Sequence, residues 1–338
     1  PLTEDGSAQL RHELSARLGD RTLIEWIVSQ QRVMAVVFDR TGARLVDVAP
    51  VADVVRARDR LLVHLDLAAA DPDGSSARAT RAADLLDRLL LEPLGLIGDA
   101  GVVITPVDLL HGVPWSGLPS LARRPCALAP NAQIWLDADR RAGTPIRTVG
   151  LVVGPDVGGA GRDRAAISRW HPQAAIASGA GASAATVASM LAGYDLVHVA
   201  AHGTYRSDRP LLSTLRLADG ASILADTVPE RVDCRLVVLS SCEGGAQGAA
   251  DGSEVLGLGA VLLARGAASV LAPLTVVRDL ECAEFVAEFH DELAAGESVA
   301  CAAANVRRRW LAEDDLSRWA VASSFTCFGS GAASLAAV

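Results

Sequence analysis

The sequence holds no C-x-x-C pair, no phosphate-binding glycine loop, no basic stripe and no apolar run of bilayer length. Each absence removes a class of function. The six cysteines, Cys126, Cys234, Cys242, Cys282, Cys301 and Cys327, are scattered singly, so no zinc site is expected and no metal or other cofactor is implied. Spread through a long chain without a secretory signal, they read as reduced thiols in a cytosol. Gly257-Leu-Gly259 lacks a third glycine at dinucleotide spacing, and no P-loop is present, which argues against nucleotide binding. Formal net charge is −9. The one short basic run, Arg307-Arg308-Arg309, falls on an expected helix and reads as a solvated face, so no direct nucleic-acid contact is expected. Crossing a membrane takes about 20 apolar residues. The most apolar segment, 255–264, is shorter and is interrupted by Gly257 and Gly259, so no membrane association is expected. The opening Pro1-Leu-Thr-Glu-Asp-Gly has neither a charged n-region nor an apolar h-region, hence no signal peptide is expected. It also lacks an initiator methionine, and a fragment or processed product is expected.

What is present is a globular composition. Hydrophobic residues make up 50% of 338 and charged residues 21%, and a chain of this size buries about three quarters of its unfolded surface. A short polar helix is expected over 7–18, followed by three strands over 22–29, 32–39 and 43–48 as an antiparallel meander. Two helices, 51–65 and 77–91, are separated by Asp71-Pro-Asp-Gly-Ser-Ser, a run of turn formers. A buried strand at 101–105 leads into an ordered loop over 106–118 that carries two prolines and two glycines. From 148 onward strands and helices alternate: strands at 149–153, 174–177, 196–201, 235–241 and 268–272, with helices at 162–170, 184–191 and 254–265. This rhythm predicts parallel strands with crossover helices. Segments 215–217 and 222–224 flank Ala218-Asp-Gly-Ala as a hairpin, and helices at 280–293 and 299–310 close the chain. The expected organisation is an N-terminal helical remnant or linker (1–20), a first half (21–147) and a second half (148–338).

Two strand ends in the second half carry the chemistry. Asp195-Leu-Val-His-Val-Ala-Ala-His202-Gly203 stops at a histidine, and Arg235-Leu-Val-Val-Leu-Ser-Ser-Cys242-Glu243-Gly244-Gly245 stops at a thiol. Open α/β sheets place their ligands at the carboxyl ends of parallel strands. Amide hydrolysis by a thiol needs a sulfur nucleophile, a proton shuttle and backbone N–H groups for the oxyanion. Cys242 and His202 supply the first two. The N–H groups of Gly203 and Cys242 are the natural oxyanion donors, and glycine after His202 leaves room for an approaching peptide. A single cysteine ending an apolar strand is more often a small buried hydrophobe. His202 is favoured because it closes its strand, precedes glycine and is matched by a second strand closing on a thiol. His198, in mid-strand, reads as a core or supporting histidine.

Residues 195–279 resemble the core of the CHAT family, caspase-like peptidase domains often fused to tetratricopeptide repeats. The resemblance rests on Asp195 to Gly203, on Asp219-Gly220, on Leu236-Val-Val-Leu-Ser-Ser-Cys-Glu-Gly-Gly245, and on Gly257-Leu-Gly-Ala-Val-Leu-Leu-Ala-Arg-Gly-Ala267 running to Val270. The turn Val276-Val-Arg-Asp279 fits as well. Upstream, Ile104-Thr-Pro-Val-Asp-Leu-Leu-His-Gly-Val-Pro-Trp-Ser-Gly-Leu118 resembles the family's proline-containing segment, with small shifts in spacing. The likeness extends over about 21–330. Two departures touch the cleft walls: Ala201 stands where threonine is frequent, and Ala272-Pro-Leu-Thr-Val276 lacks the family's tryptophan.

The resemblance implies an α/β, caspase-like fold: a mainly parallel sheet flanked by helices, with 21–147 as a pseudo-caspase half buttressing the second. It implies a cysteine endopeptidase with His202 and Cys242 as dyad and no cofactor. The implied partners are a protein substrate and a regulatory or sensor partner or fused repeat region, in bacterial defence or regulated cell death. Asp195 and Glu243 are candidates for supporting the dyad. Ser240 stands where related peptidases that cut after Arg or Lys often carry an acid, which lowers the expectation of such cleavage. Asp208, Asp251 and Glu254 are candidate substrate-facing acids, each equally readable as a solvated loop charge. The competing reading is an inactive caspase-like scaffold that docks partner proteins.

Overall fold

Alternating apolar runs and amphipathic segments fold into one broad sheet with helices on both faces. The computed structural model describes residues 4–70, 75–96, 98–204, 214–240, 253–275 and 277–336. The chain runs α1 (Glu4–Leu18), β1 (Thr22–Ser29), β2 (Arg32–Asp39), β3 (Gly42–Pro50), α2 (Val51–Ala70), α3 (Ala77–Leu90), β4 (Val102–Thr105), β5 (Cys126–Leu128) and α4 (Ala132–Ala142). It continues with β6 (Val149–Val153), α5 (Ala160–Trp170), β7 (Ala175–Ser178), α6 (Ala184–Gly193), β8 (Leu196–Ala200), β9 (Gly203–Thr204), β10 (Thr214–Leu217), β11 (Gly220–Ile223) and α7 (Leu224–Thr227). It ends with β12 (Leu236–Ser240), α8 (Ser253–Arg265), β13 (Ser269–Pro273), α9 (Asp279–Ala294), α10 (Val299–Leu311), α11 (Leu316–Ser324) and β14 (Phe325–Gly329).

Eleven strands form one sheet in the order β3-β2-β1-β4-β5-β14-β13-β12-β8-β6-β7. The expected meander is there: β1, β2 and β3 pair antiparallel. Gln30 and Gln31 turn the first hairpin with φ of 49° and 65°, the left-handed pair that a two-residue hairpin requires. The five strands β13, β12, β8, β6 and β7 are mutually parallel, so their carboxyl ends share one edge. They are buried on both faces. Val197, Val199, Val237 and Leu239 join one core, with α2, α3, α6 and α8. Leu196, Leu236 and Val238 join the other, with α5, α9 and α10. Two-sided burial explains why these strands read as continuous apolar runs rather than alternating ones.

β14 was not anticipated from the sequence, yet it sits at the centre of the sheet. It pairs parallel with β5 and antiparallel with β13, and so joins the two halves into one hydrogen-bonded surface. Removing residues 21–147 would strip β5 from β14 and expose an apolar strand edge, a template for aggregation. The expected result is insoluble protein from a 148–338 fragment. A soluble, monomeric fragment with native helix content by circular dichroism would contradict this.

One expectation is corrected by the structure. Arg307 is not part of a solvated face: it is 2% exposed, and its Nη2 donates to the Leu121 carbonyl at 2.9 Å and the Arg124 carbonyl at 2.6 Å. The helical period puts Ala303, Val306, Arg307 and Trp310 on the buried side of α10, leaving only Arg308 and Arg309 outside.

Candidate active site

β8 and β12 are adjacent, and their register pairs Ala200 with Ser240. β6 lies on the far side of β8, with Val153 opposite Ala200. Three strands therefore end level with one another at one edge of the sheet. His202 follows β8 by two residues, and its ring meets the loop after β6: Nε2 lies 2.9 Å from the Asp156 carbonyl oxygen. A carbonyl can only accept, so Nε2 carries the proton. In the neutral ring Nδ1 is then the basic nitrogen, fixed in that role by the partner of the other.

Asp156 is a residue that sequence reasoning missed. It has φ of +61°, a left-handed conformation that aspartate tolerates better than most residues. Its carboxylate pairs with Arg216 Nη2 at 2.8 Å, and the Arg216 N–H donates to the His202 carbonyl at 2.7 Å. His202 is thus held through its ring by Asp156 and through its backbone by Arg216, and these two residues hold each other. The available signal was Gly154-Pro155-Asp156, a turn tripeptide directly after an apolar strand. Gly154 is required there: a Cβ would stand 2.8 Å from the Arg216 carbonyl oxygen and 3.0 Å from Ala201 Cβ.

Gly203 opens β9, the edge of a small sheet ordered β11-β10-β9. Gly203 is opposite Leu215, while the 202–216 pair carries the N–H to carbonyl bond. Hydrogen-bonded and non-bonded pairs alternate in antiparallel ladders, so the Gly203 N–H points away from β10. The Gly203 N–H therefore takes no part in the β9–β10 ladder.

The remaining predicted residues divide sharply. Cys242, Glu243, Asp208 and Asp251 lie outside the described residues, and Glu254 is described only as backbone in α8. Ser240 does not face a cleft. It is buried, with its hydroxyl 2.7 Å from His198 Nε2. Asp195 is not near His202 either, and its assignment as a supporting or substrate-facing group is corrected. It precedes β8 at the opposite edge of the sheet, roughly 17 Å of strand away. There its carboxylate accepts from the Arg147 and Thr148 N–H groups and the Thr148 hydroxyl. Burial would raise its pKa, but these bonds and Arg235 outweigh burial and hold it below the usual carboxylate range.

Behind β8 and β12 lies a buried polar cluster. His198 is fully buried, which pushes its pKa down to about 3 and keeps it neutral. His290 of α9 stacks on it at 5.5 Å between ring centroids, and burial also holds His290 well below its ordinary value. Asp163 of α5 is 1% exposed, with Oδ1 4.0 Å from His198 Nε2. Burial, helped by the charge of Asp279, pushes the Asp163 carboxyl up to about 7. Among the described cysteines, Cys126, Cys234, Cys282 and Cys327 are buried free thiols and Cys301 is half-buried. Burial raises Cys126 to about 11 and raises Cys234 and Cys327 as well, so none of those three is a ready thiolate. No grouping of described residues has the makings of a metal site, and no helix of the described residues is long and apolar enough to cross a membrane.

A sequence profile of the CHAT domain matches residues 80–330. None of the curated protein sequences matches the chain. Among solved structures, the chain is similar to two crystal structures of the Saccharomyces cerevisiae separase–securin complex. In one, TM-score is 0.62 at 9% identity; in the other it is 0.65 at 11%. Both cover 96% of this chain but only 31% of the matched chain, so the protein spans about a third of the length of those separase chains. A complex of Porphyromonas gingivalis RgpB pro- and mature domains aligns with TM-score 0.47 at 8% identity, covering 84% of this chain and 78% of that one. At these identities the likeness to the separase structures is one of fold: an α/β, caspase-like sheet, mostly parallel and flanked by helices.

Proposed function

Because the chain belongs to the CHAT family, a family of caspase-like cysteine peptidases, we propose that it is an endopeptidase in which Cys242 is the nucleophile and His202 the proton shuttle. The observation that carries this reading is the fixed tautomer of His202 at the end of the strand next to β12. Chain connectivity supports it. Two peptide units separate Cys242 from Ser240, so their Cα atoms lie within about 7.6 Å. Ser240 is paired with Ala200, which is itself two residues before His202. Neighbouring strands are about 4.8 Å apart, so the two side chains have the reach to share one substrate carbonyl.

The steps follow from these groups. Nδ1 of His202 takes the thiol proton, and sulfur attacks the scissile carbonyl carbon. Negative charge builds on oxygen, where the N–H groups of Gly203 and Cys242 donate. The C–N bond breaks as the imidazolium returns its proton to the leaving amine, leaving a thioester on Cys242. Water then attacks the thioester, again losing a proton to Nδ1, and the acid departs as the thiol is restored. Asp156 holds the ring through the whole cycle, so no carboxylate partner is required for the histidine.

We place the protein in the cytosol as the protease part of a regulated bacterial defence or cell-death system that cuts one dedicated protein. Free, buried thiols and the securin-bound state of the separase structures support a reduced compartment and a protein partner. The test is cleavage of the natural protein partner produced together with wild-type or Cys242→Ala protein. Fragments are expected with the first and not the second; cleavage by both would contradict the reading.

A further inference from the structure

The loops beyond His202 enclose a cleft that no step above has used. It has a volume of about 600 Å³ and is lined by Pro155, Gly179, Ala180, Arg216, Ala218 and Gly220, with Leu217 between Arg216 and Ala218. Pro155 follows β6, Gly179 and Ala180 follow β7, and the remainder belong to the β10–β11 hairpin. The cleft begins one residue from Asp156, whose carbonyl holds the His202 ring.

We propose that this cleft receives the leaving-side segment of the substrate and that Arg216 makes it select an acidic side chain there. This rests on the proteolytic reading above and adds a substrate class to it. The order β12-β8-β6-β7 sets the polarity. The acyl part of the substrate becomes attached to Cys242, beyond β12. The departing amine takes its proton from His202, beyond β8. The chain that carries the new amino terminus therefore lies on the His202 side and runs off over the ends of β6 and β7. There the lining is glycine, alanine and proline, which lets a peptide backbone approach closely.

Arg216 is the one charged side chain among the described residues of that lining. It is 57% exposed, and its ionic partner Asp156, 69% exposed at the rim, takes Nη2. A guanidinium has five N–H donors, so a second carboxylate can join without displacing the first. The nearby Asp219 carboxylate faces away from this role, accepting from the Ala184 N–H at 3.1 and 3.3 Å. An aspartate or glutamate within the first two or three leaving-side residues gains a charge-assisted bond. A lysine or arginine there meets a like charge.

Two readouts test this. In wild-type protein, kcat/KM is measured for peptide substrates that differ only in carrying Glu, Ala or Lys at the leaving-side positions. In Cys242→Ala protein, binding of the corresponding free leaving-side peptides is measured by fluorescence anisotropy, which needs no turnover. Glu over Lys is expected by roughly two- to fivefold in both, the range of a partly exposed ion pair. Arg216→Ala should bring the ratio to about 1, Arg216→Lys should retain part of it, and Arg216→Glu should reverse it. Equal binding of all three peptides, no binding of any, or a Glu preference that survives Arg216→Ala overturns the subsite. Its failure is separable from failure of the enzyme: cleavage by wild type without a leaving-side preference removes the subsite alone. A preference in binding, together with cleavage that persists in Cys242→Ala, removes the dyad alone.

Discussion

Replacing Cys242 by alanine is expected to reduce cleavage of the natural substrate by roughly 10³- to 10⁶-fold, the loss seen when a covalent nucleophile is removed. His202→Ala is expected to fall in the same range, because without Nδ1 the thiol is not deprotonated in place and the leaving amine is not protonated. The double variant should be no slower than the worse of the two singles, since groups that act as one unit are not additive. Single-turnover kinetics with purified partner protein measure all three. Additive losses, meaning a double variant slower than either single by the product of their effects, would show that the two residues act separately. For His202→Ala, circular dichroism and thermal melting should be nearly unchanged, because His202 lies two residues beyond β8, is only half-buried and belongs to neither core.

The second large effect is on stability. Asp163→Asn is expected to stabilise the protein at pH 8, an unusual direction for a buried substitution. The carboxyl is raised from 3.8 to about 7 in the folded state. A raised acid binds its proton more tightly when folded, so its contribution is most favourable below the unfolded pKa. Stability is then lost as pH climbs from about 4 through 7. Above pH 7 the full gap applies, corresponding to about 4 kcal/mol, and at pH 5 only about a third of it. Asparagine keeps the shape and removes the ionisation. Its advantage should therefore grow by about 3 kcal/mol between pH 5 and pH 8. The histidines act in the opposite sense. His171, His198 and His290 are all lowered by burial, so acid takes up protons preferentially in the unfolded chain and stability falls below about pH 6.5 in both proteins. Denaturant melts at pH 5 and pH 8 decide the matter. A variant less stable than wild type at both values, by the same margin, would show that Asp163 is ionised and paired in the folded protein.

Much of the second half was legible in the sequence because its strands are short, mostly apolar and bounded by glycine or helix-forming runs. The segments 149–153 and 196–201 coincide with β6 and β8 to within a residue. The strands that escaped notice had no such punctuation. β5 is three residues long, and β14 begins at the residue after α11 ends, with no turn between Ser324 and Phe325 to mark the change of period. Their pairing is long-range, joining residues about 200 apart in sequence, and local pattern carries no trace of it.

The site divides in the same way. His202 could be proposed from the sequence because a strand ended on it. Asp156 was not, because what it offers is a backbone carbonyl, and every residue has one. Only the fold shows that this carbonyl is aimed at the ring. Asp195 failed for the converse reason. It is part of the same motif as His202, but the motif is a whole strand, and its two ends lie at opposite edges of the sheet. Arg307 shows how a run of like residues misleads on a helix, where neighbours in sequence face different ways.

The most direct test of the dyad is site-specific labelling. Wild-type, His202→Ala and Cys242→Ala proteins are treated with a peptide bearing an electrophilic carbon at its carboxyl end, and the modified residue and its rate are read by mass spectrometry. The account predicts one fast site, Cys242, in wild type, with the rate falling to that of an ordinary free thiol in His202→Ala and no fast site in Cys242→Ala. Labelling of Cys242 at the free-thiol rate in wild type, unchanged by His202→Ala, would contradict it and leave the caspase-like fold serving as a scaffold.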